Sequence, residues 1–160
     1  VSKSDMFLKV EGARSGTIKG ESQDDARKDE IDVLGWSWGM QARTEMGGAG
    51  TTTKASLREM LVSKRVDSAS TPLMSAMRNN DLITKAVLTV RKAGKAPLDY
   101  FTVTMENGRI TSIDVESVGE EQPVLIERLS LSFQKISIEY VPQGEDGMGK
   151  GAMLFETETL

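Results

Sequence analysis

The sequence predicts a mainly β protein, an antiparallel β-barrel or orthogonal sandwich with one short outer α-helix. Three observations lead there. Apolar and polar residues alternate strictly over at least seven short runs, the mark of half-buried strands. Two of the longer runs shift phase by one residue midway, as a β-bulge does, and such bulges let a sheet curl over on itself. Only one stretch carries convincing helix punctuation, so the helix decorates the sheets and does not layer between them.

The chain divides as follows. Met6 to Val10 is a first strand, followed by a segment punctuated by Gly12, Gly16 and Gly20, and Glu21 to Glu30 is a polar turn region. Glu30 to Met40 (EIDVLGWSWGM) is the strand around which the rest is arranged. Ile31 and Val33 share one face. After the phase shift Leu34, Trp36, Trp38 and Met40 share one, opposite Gly35, Ser37, Gly39 and Gln41. Both tryptophans therefore anchor the core, together with Phe133 and Tyr140 further on.

Arg43 to Thr53, with three glycines and four threonines, is an extended loop. Leu57 to Val66 is a strand region. Ser70-Thr71-Pro72 starts the helix, which runs from Pro72 to Asn79 or Asn80. Ser or Thr caps the free amides, and Pro is tolerated at the first helical position. Leu73, Met74 and Met77 form its apolar face.

Ala86, Leu88 and Val90 alternate along the next strand, and Lys92 to Pro97 turns into Phe101, Val103 and Met105. Asn107-Gly108 reads as a type I′ hairpin, because both residues accept positive φ. The return strand places Ile113 and Val115 inward. Glu127 to Val141 is the longest strand. Leu129, Leu131 and Phe133 lie on one parity and Ile136, Ile138 and Tyr140 on the other, which a bulge at Gln134-Lys135 brings into one core. The tail after residue 143 is either flexible or a short edge strand over Met153 to Leu160.

At 160 residues the chain suits a single domain, residues 1–160, burying roughly 70% of the surface its unfolded chain exposes. No run approaches the roughly 18 apolar residues of a membrane span, and the opening stretch has no apolar signal-peptide core, so no membrane insertion is expected. Cysteine and histidine are both absent, which excludes disulfides, thiolate nucleophiles, Cys/His zinc sites and histidine-based triads within one chain.

The net charge of −4 is no footprint of a nucleic-acid binder. Its distribution is uneven: residues 1–53 carry a net −2, residues 54–110 a net +5 and residues 111–160 a net −7. A basic middle and an acidic end are either neighbours within the fold or complementary faces between identical subunits.

Three patterns resemble chemistry and do not meet its requirements. GGAGTTTKAS has no glycine before Lys54 and leads into a strand, unlike a phosphate-binding loop. Asp24, Asp25, Asp29 and Glu30 lack the ligand spacing of a calcium loop. Asp114 and Glu116 share a strand face, as a catalytic carboxylate pair would, but so do many solvated pairs. No enzyme activity, cofactor or metal is expected.

Five pieces in order resemble the Hcp family, the haemolysin-coregulated proteins that form the inner tube of the bacterial type VI secretion system. They are the first strand with Gly20-Glu21-Ser22; IDVLGWSWGM; Val66-Asp67 with Ala69-Ser70 and Pro72-Leu73-Met74, in which Thr71 is inserted; LTVRKAG; and ISIEYVPQ. The resemblance implies a ring-forming β-barrel with an outer helix. Homohexameric rings would stack into a tube that is held in the bacterial cytoplasm, then expelled by the contractile sheath without a signal peptide. The implied partners are other copies of the chain, the sheath, the spike and baseplate proteins, and effector proteins in the lumen. It places Ser37 on the lumen wall as a cargo contact, and Gly47, Gly48, Gly50, Thr51 and Thr52 in a loop that touches the neighbouring ring. An alternative within the same resemblance is a secreted ring-shaped chaperone or adaptor that binds effectors without forming long tubes.

Overall fold

A computed structural model describes residues 5–42, 55–92, 98–142 and 151–159. Among the described residues, alternating apolar side chains build thirteen strands, and most of them fall into two antiparallel sheets. The larger sheet contains β1 (Met6–Gly12), β2 (Gly16–Ile18), β3 (Ile31–Asp32), β8 (Ile83–Lys92), β9 (Leu98–Gly108), β12 (Lys135–Tyr140) and β13 (Met153–Glu158). Its order is β13-β12-β9-β8-β1-β2, and β3 also pairs with β1. The smaller sheet runs β10-β11-β7-β4, from Ile110–Val118, Val124–Leu131, Met60–Arg65 and Gly35–Ser37. Strands β5 (Met40–Gln41) and β6 (Ser56–Leu57) pair with each other.

Leu8, Val10, Leu88, Val103, Met105 and Ile136 from the larger sheet meet Met60, Val62, Leu129 and Leu131 from the smaller in one core. The corners of orthogonally packed sheets are places where the chain leaves one sheet and enters the other. Among the described residues the chain makes three such crossings directly, besides the one through the helix between Arg65 and Ile83, and each of the three corrects an expectation drawn from the sequence.

The first lies in the tryptophan stretch, which is three short strands in three sheets and not one bulged strand. The Val33 N–H bonds to the Met6 carbonyl in the larger sheet, and the next N–H, of Leu34, bonds to the Ser63 carbonyl in the smaller. Val33 is buried. Leu34, at the turn of the corner, and Met40, beyond it, are exposed although they share parity with the tryptophans. Trp36 and Trp38 are half-buried and pack on the core, as expected.

The second corner is Asn107-Gly108. Asn107 has the expected positive φ of 56°, but Gly108 does not, and β9 and β10 do not form a hairpin. Gly108 is needed for a different reason: a Cβ there would lie 1.8 Å from the Ser132 carbonyl oxygen.

The third corner divides the predicted 127–141 strand into β11 and β12. Ser132 N–H donates to the Arg109 carbonyl and Gln134 N–H to the Glu106 carbonyl, so the chain crosses between sheets at Phe133, which stays buried. The phase change does bring both apolar sets to the core side. Tyr140, however, is 44% exposed and does not anchor the core, because the smaller sheet does not reach that end of β12. Val115 is exposed for the same kind of reason, while Ile113 packs on the core.

Helix α1 spans Ser70–Arg78, starting before Pro72, with Ala69 at its N-cap. No side chain caps it in the expected way. Instead the Asp67 N–H donates to the Ser70 hydroxyl, and Asp67 Oδ1 accepts the Ala69 N–H. Ser70, Leu73 and Ala76 face inward at helical spacing, which leaves Met74 and Met77 exposed. Asn80, with φ 53°, ends the helix region as its sequence suggests. Met153–Glu158 is an edge strand on β12. The predicted 43–53 loop, all of the Lys92–Pro97 turn after Lys92 and residues 143–150 lie outside the described residues.

A polar sheet face as candidate functional site

The outer face of the smaller sheet is built by parity. Strand β7 buries every second residue, and the register of β4, β11 and β10 against it sets the intervening residues in rows across four strands. One row is Ser37, Leu61, Ser130 and Ser112; the next is Gly35, Ser63, Arg128 and Asp114. Ser37, the expected lumen residue, is exposed here. It borders a shallow depression of about 500 Å³, also lined by Ser63, Ser112, Asp114 and Arg128, with Leu61 as its one large exposed apolar neighbour.

Hydroxyl groups dominate the far side of this face. The Ser130 hydroxyl lies 2.5 Å from that of Ser112 and 2.7 Å from that of Thr111, and Thr111 also donates to Glu59. Asp114 sits opposite Arg128, and Arg128 forms an ion pair with Glu116. Of the two carboxylates noted in the sequence, Glu116 thus pairs with the guanidinium and Asp114 lies across the strand from it. That is the arrangement of a solvated charge cluster.

Beneath this face the aromatic anchors join the two sheets. Trp36 stacks on Phe101 of β9, with ring centroids 5.5 Å apart and planes at 17°. Trp38 lies 6.5 Å from Phe133 and donates its indole N–H to the Arg58 carbonyl at 2.8 Å. Phe133 is therefore an anchor as predicted. Gly47, Gly48, Gly50, Thr51 and Thr52 lie outside the described residues.

Several charged groups were missed by the sequence reading. Lys64 and Glu127 are fully buried cross-strand partners, 3.2 Å apart, and Lys64 also reaches Asp67 at 2.8 Å and the Ser70 hydroxyl at 3.2 Å. The signal was available: Lys64 has the inward parity of Met60 and Val62. Buried Asp81 accepts the Ser15 hydroxyl and the Arg14 and Ser15 N–H groups, and these bonds hold its carboxyl below the usual range. Asp24 is held down at about 2, chiefly by its hydrogen bond to Arg91 at 2.7 Å. Asp32 moves the other way. Burial raises it, helped by the nearby charge of Asp67. Among the described residues no three or more acidic side chains converge as metal ligands.

Fold and site together define a mainly β protein of two packed antiparallel sheets that presents a broad, wettable sheet face. The family described as type VI secretion system effector, Hcp, matches residues 7–140, and the chain belongs to that family. It is 35% identical over 150 residues to the protein hcp1 of Pseudomonas aeruginosa strain PAO1, covering 92% of this chain and 89% of that one. Among solved structures, a type VI secretion system effector from Yersinia pestis is 29% identical with a TM-score of 0.74, covering 97% of this chain and all of that one. Hcp1 from Salmonella typhimurium is 25% identical with a TM-score of 0.72, covering 96% and 94%. Among the described residues no helix is long and apolar enough to cross a membrane.

Proposed function

We propose that this chain, acting as one domain without chemistry of its own, assembles into hexameric rings that stack into the inner tube of a type VI secretion system. The smaller sheet's serine face, with Ser37, then lines the lumen. The sheath, the spike and the baseplate are its partners in the cell. The tube is expelled from the bacterial cytoplasm with effector proteins inside it, and Gly47, Gly48, Gly50, Thr51 and Thr52 contribute to ring-to-ring contact.

One observation carries the self-assembly. The core face of the larger sheet continues past its cover. Tyr140 and Met153 are paired with each other, as are Ile138 and Phe155, on the same face as buried Val103. Yet Tyr140, Met153 and Phe155 are 44%, 63% and 43% exposed. They form an apolar strip beside an edge of β13 that pairs with no strand among the described residues. A sheet edge with an apolar margin is a template for another chain, and closure into a ring covers it in every subunit.

Absolute mass by light scattering after size exclusion tests this reading. A species near six times the 17.5 kDa chain supports the ring, and a monomer at high concentration overturns it. Ser37→Gln is expected to leave that mass unchanged while reducing effector capture. Unchanged capture removes Ser37 from the lumen wall. The depression beside Ser37 also suits a ring that carries cargo without building a tube; electron microscopy separates the two, as only the tube reading predicts stacks.

A further inference from the structure

At the other end of the tryptophan stretch the chain leaves a cleft of about 600 Å³ where the two sheets part. Phe7 and Val33 form part of its floor, and exposed Leu34 and Val66 form a ledge at its margin. Five carboxylates stand around this apolar surface: Asp5, Glu21, Asp24, Asp32 and Asp67. Asp24 is matched by Arg91 and Asp67 by Lys64. Asp5, Glu21 and Asp32 share the lining with one cation, Arg65.

The opposite end of the barrel has the opposite character. Three elements run from one end to the other. Strand β7 starts beside Arg58 and ends at Arg65, about 20 Å away at strand rise. Strand β1 starts at the cleft with Met6 and ends at Gly12, whose following turn carries Arg14. Helix α1 starts just after Asp67 and ends at Arg78. Arg109 joins the same end through its hydrogen bond to Asn80. Arg14, Arg58 and Arg78 are exposed there. Of the acids at that end, Asp81 is buried and fully engaged, Glu59 is bonded to Thr111, Glu11 pairs with Lys9 and Glu106 with Lys135.

We propose that the acidic cleft of one copy receives the arginine-bearing end of a second copy. A guanidinium on an apolar stem fits a cleft with an apolar floor and a carboxylate rim, and a second copy of this chain supplies such side chains. Unlike ends meeting head to tail form a contact that repeats without closing on itself. Its direction rests on the ring reading: subunits joined side by side along sheet edges leave the strand ends facing along the ring axis. The contact is then the one between rings.

A charge swap tests the contact. Glu21→Lys in one protein and Arg14→Glu with Arg78→Glu in another are checked for unchanged thermal melting, then followed by sedimentation in low and high salt. Each alone is expected to keep the ring mass and lose assemblies larger than a ring at least tenfold in low salt. An equimolar mixture is expected to restore them, because each reversed end then meets its complement. Unchanged association of either protein alone, or a loss that mixing does not restore, overturns the proposal. If the parent chain forms no rings, the ring reading fails separately. The swap is then scored on any salt-sensitive association of single chains, and its absence overturns the contact as well.

Discussion

Gly108 and Ser132 are in backbone contact at the corner where two crossings between the sheets meet. A Cβ on Gly108 would lie 1.8 Å from the Ser132 oxygen and 2.9 Å from Phe133 Cα. No side-chain rotation relieves a clash with backbone, so one of the two crossings has to move. Gly108→Ala is expected to destabilise the fold by about 3 kcal/mol or more, at or above the upper end for overpacking. Urea denaturation checks this, and a loss below about 1 kcal/mol shows that the corner adjusts freely.

The Trp36–Phe101 stack spans the two sheets, so its loss weakens the contact between layers as well as one side chain's burial. Trp36 is half-buried, which puts Trp36→Ala near about 3 kcal/mol, the low end for a large aromatic cut to alanine. Tyr140→Ala is expected to change the stability of the isolated subunit far less, since Tyr140 lies beyond the core. Equal losses in the two variants contradict the placement of these residues.

Lys64 and Glu127 share a fully buried contact, and one oxygen of Glu127, Oε2, has no hydrogen-bond partner among the described residues. Removing one partner strands the other charge. Lys64→Met alone is therefore expected to cost about 3–5 kcal/mol, whereas Lys64→Met with Glu127→Leu recovers much of that loss. A double-mutant cycle by denaturation measures the recovery. Simple additivity of the two single losses rules the coupling out.

Acid dependence follows from two carboxylates of opposite tendency. Asp24 titrates near 2 in the folded chain, below its ordinary 3.8. Its contribution is fully present above the ordinary value and is lost as pH falls toward 2, up to about 2 kcal/mol. Asp32 is raised, so its charged form opposes folding at neutral pH, and that penalty is relieved as pH falls through its raised folded value. Asp32→Asn is expected to raise the melting temperature at pH 7, and Asp24→Asn to lower it. Their difference should shrink by pH 2. A persistent difference at that pH places its origin outside titration.

The sequence by itself determined which side of the local backbone each residue occupies. That rests on a period of two, an attribute of the extended chain that needs no partner. It put Trp36, Trp38, Leu129, Leu131, Phe133 and Ile136 toward the core, put Ser37 on the polar side, and identified the family through five short pieces in order. Only the tertiary structure decided what stands on each side. A bulge within one sheet and a crossing between two leave the same phase shift in the sequence. So Glu30–Met40 and the 127–141 run each read as one strand, and Asn107-Gly108 read as a hairpin. Tyr140 and Leu34 have core parity and remain exposed, because parity does not say where the opposing sheet ends. Lys64 and Glu127 have the same parity and are buried, because each strand supplies the other's counter-charge. The acidic cleft belongs to this second category: Asp5, Glu21, Asp32 and Asp67 are distant in the chain, and only the parting of the two sheets brings them together.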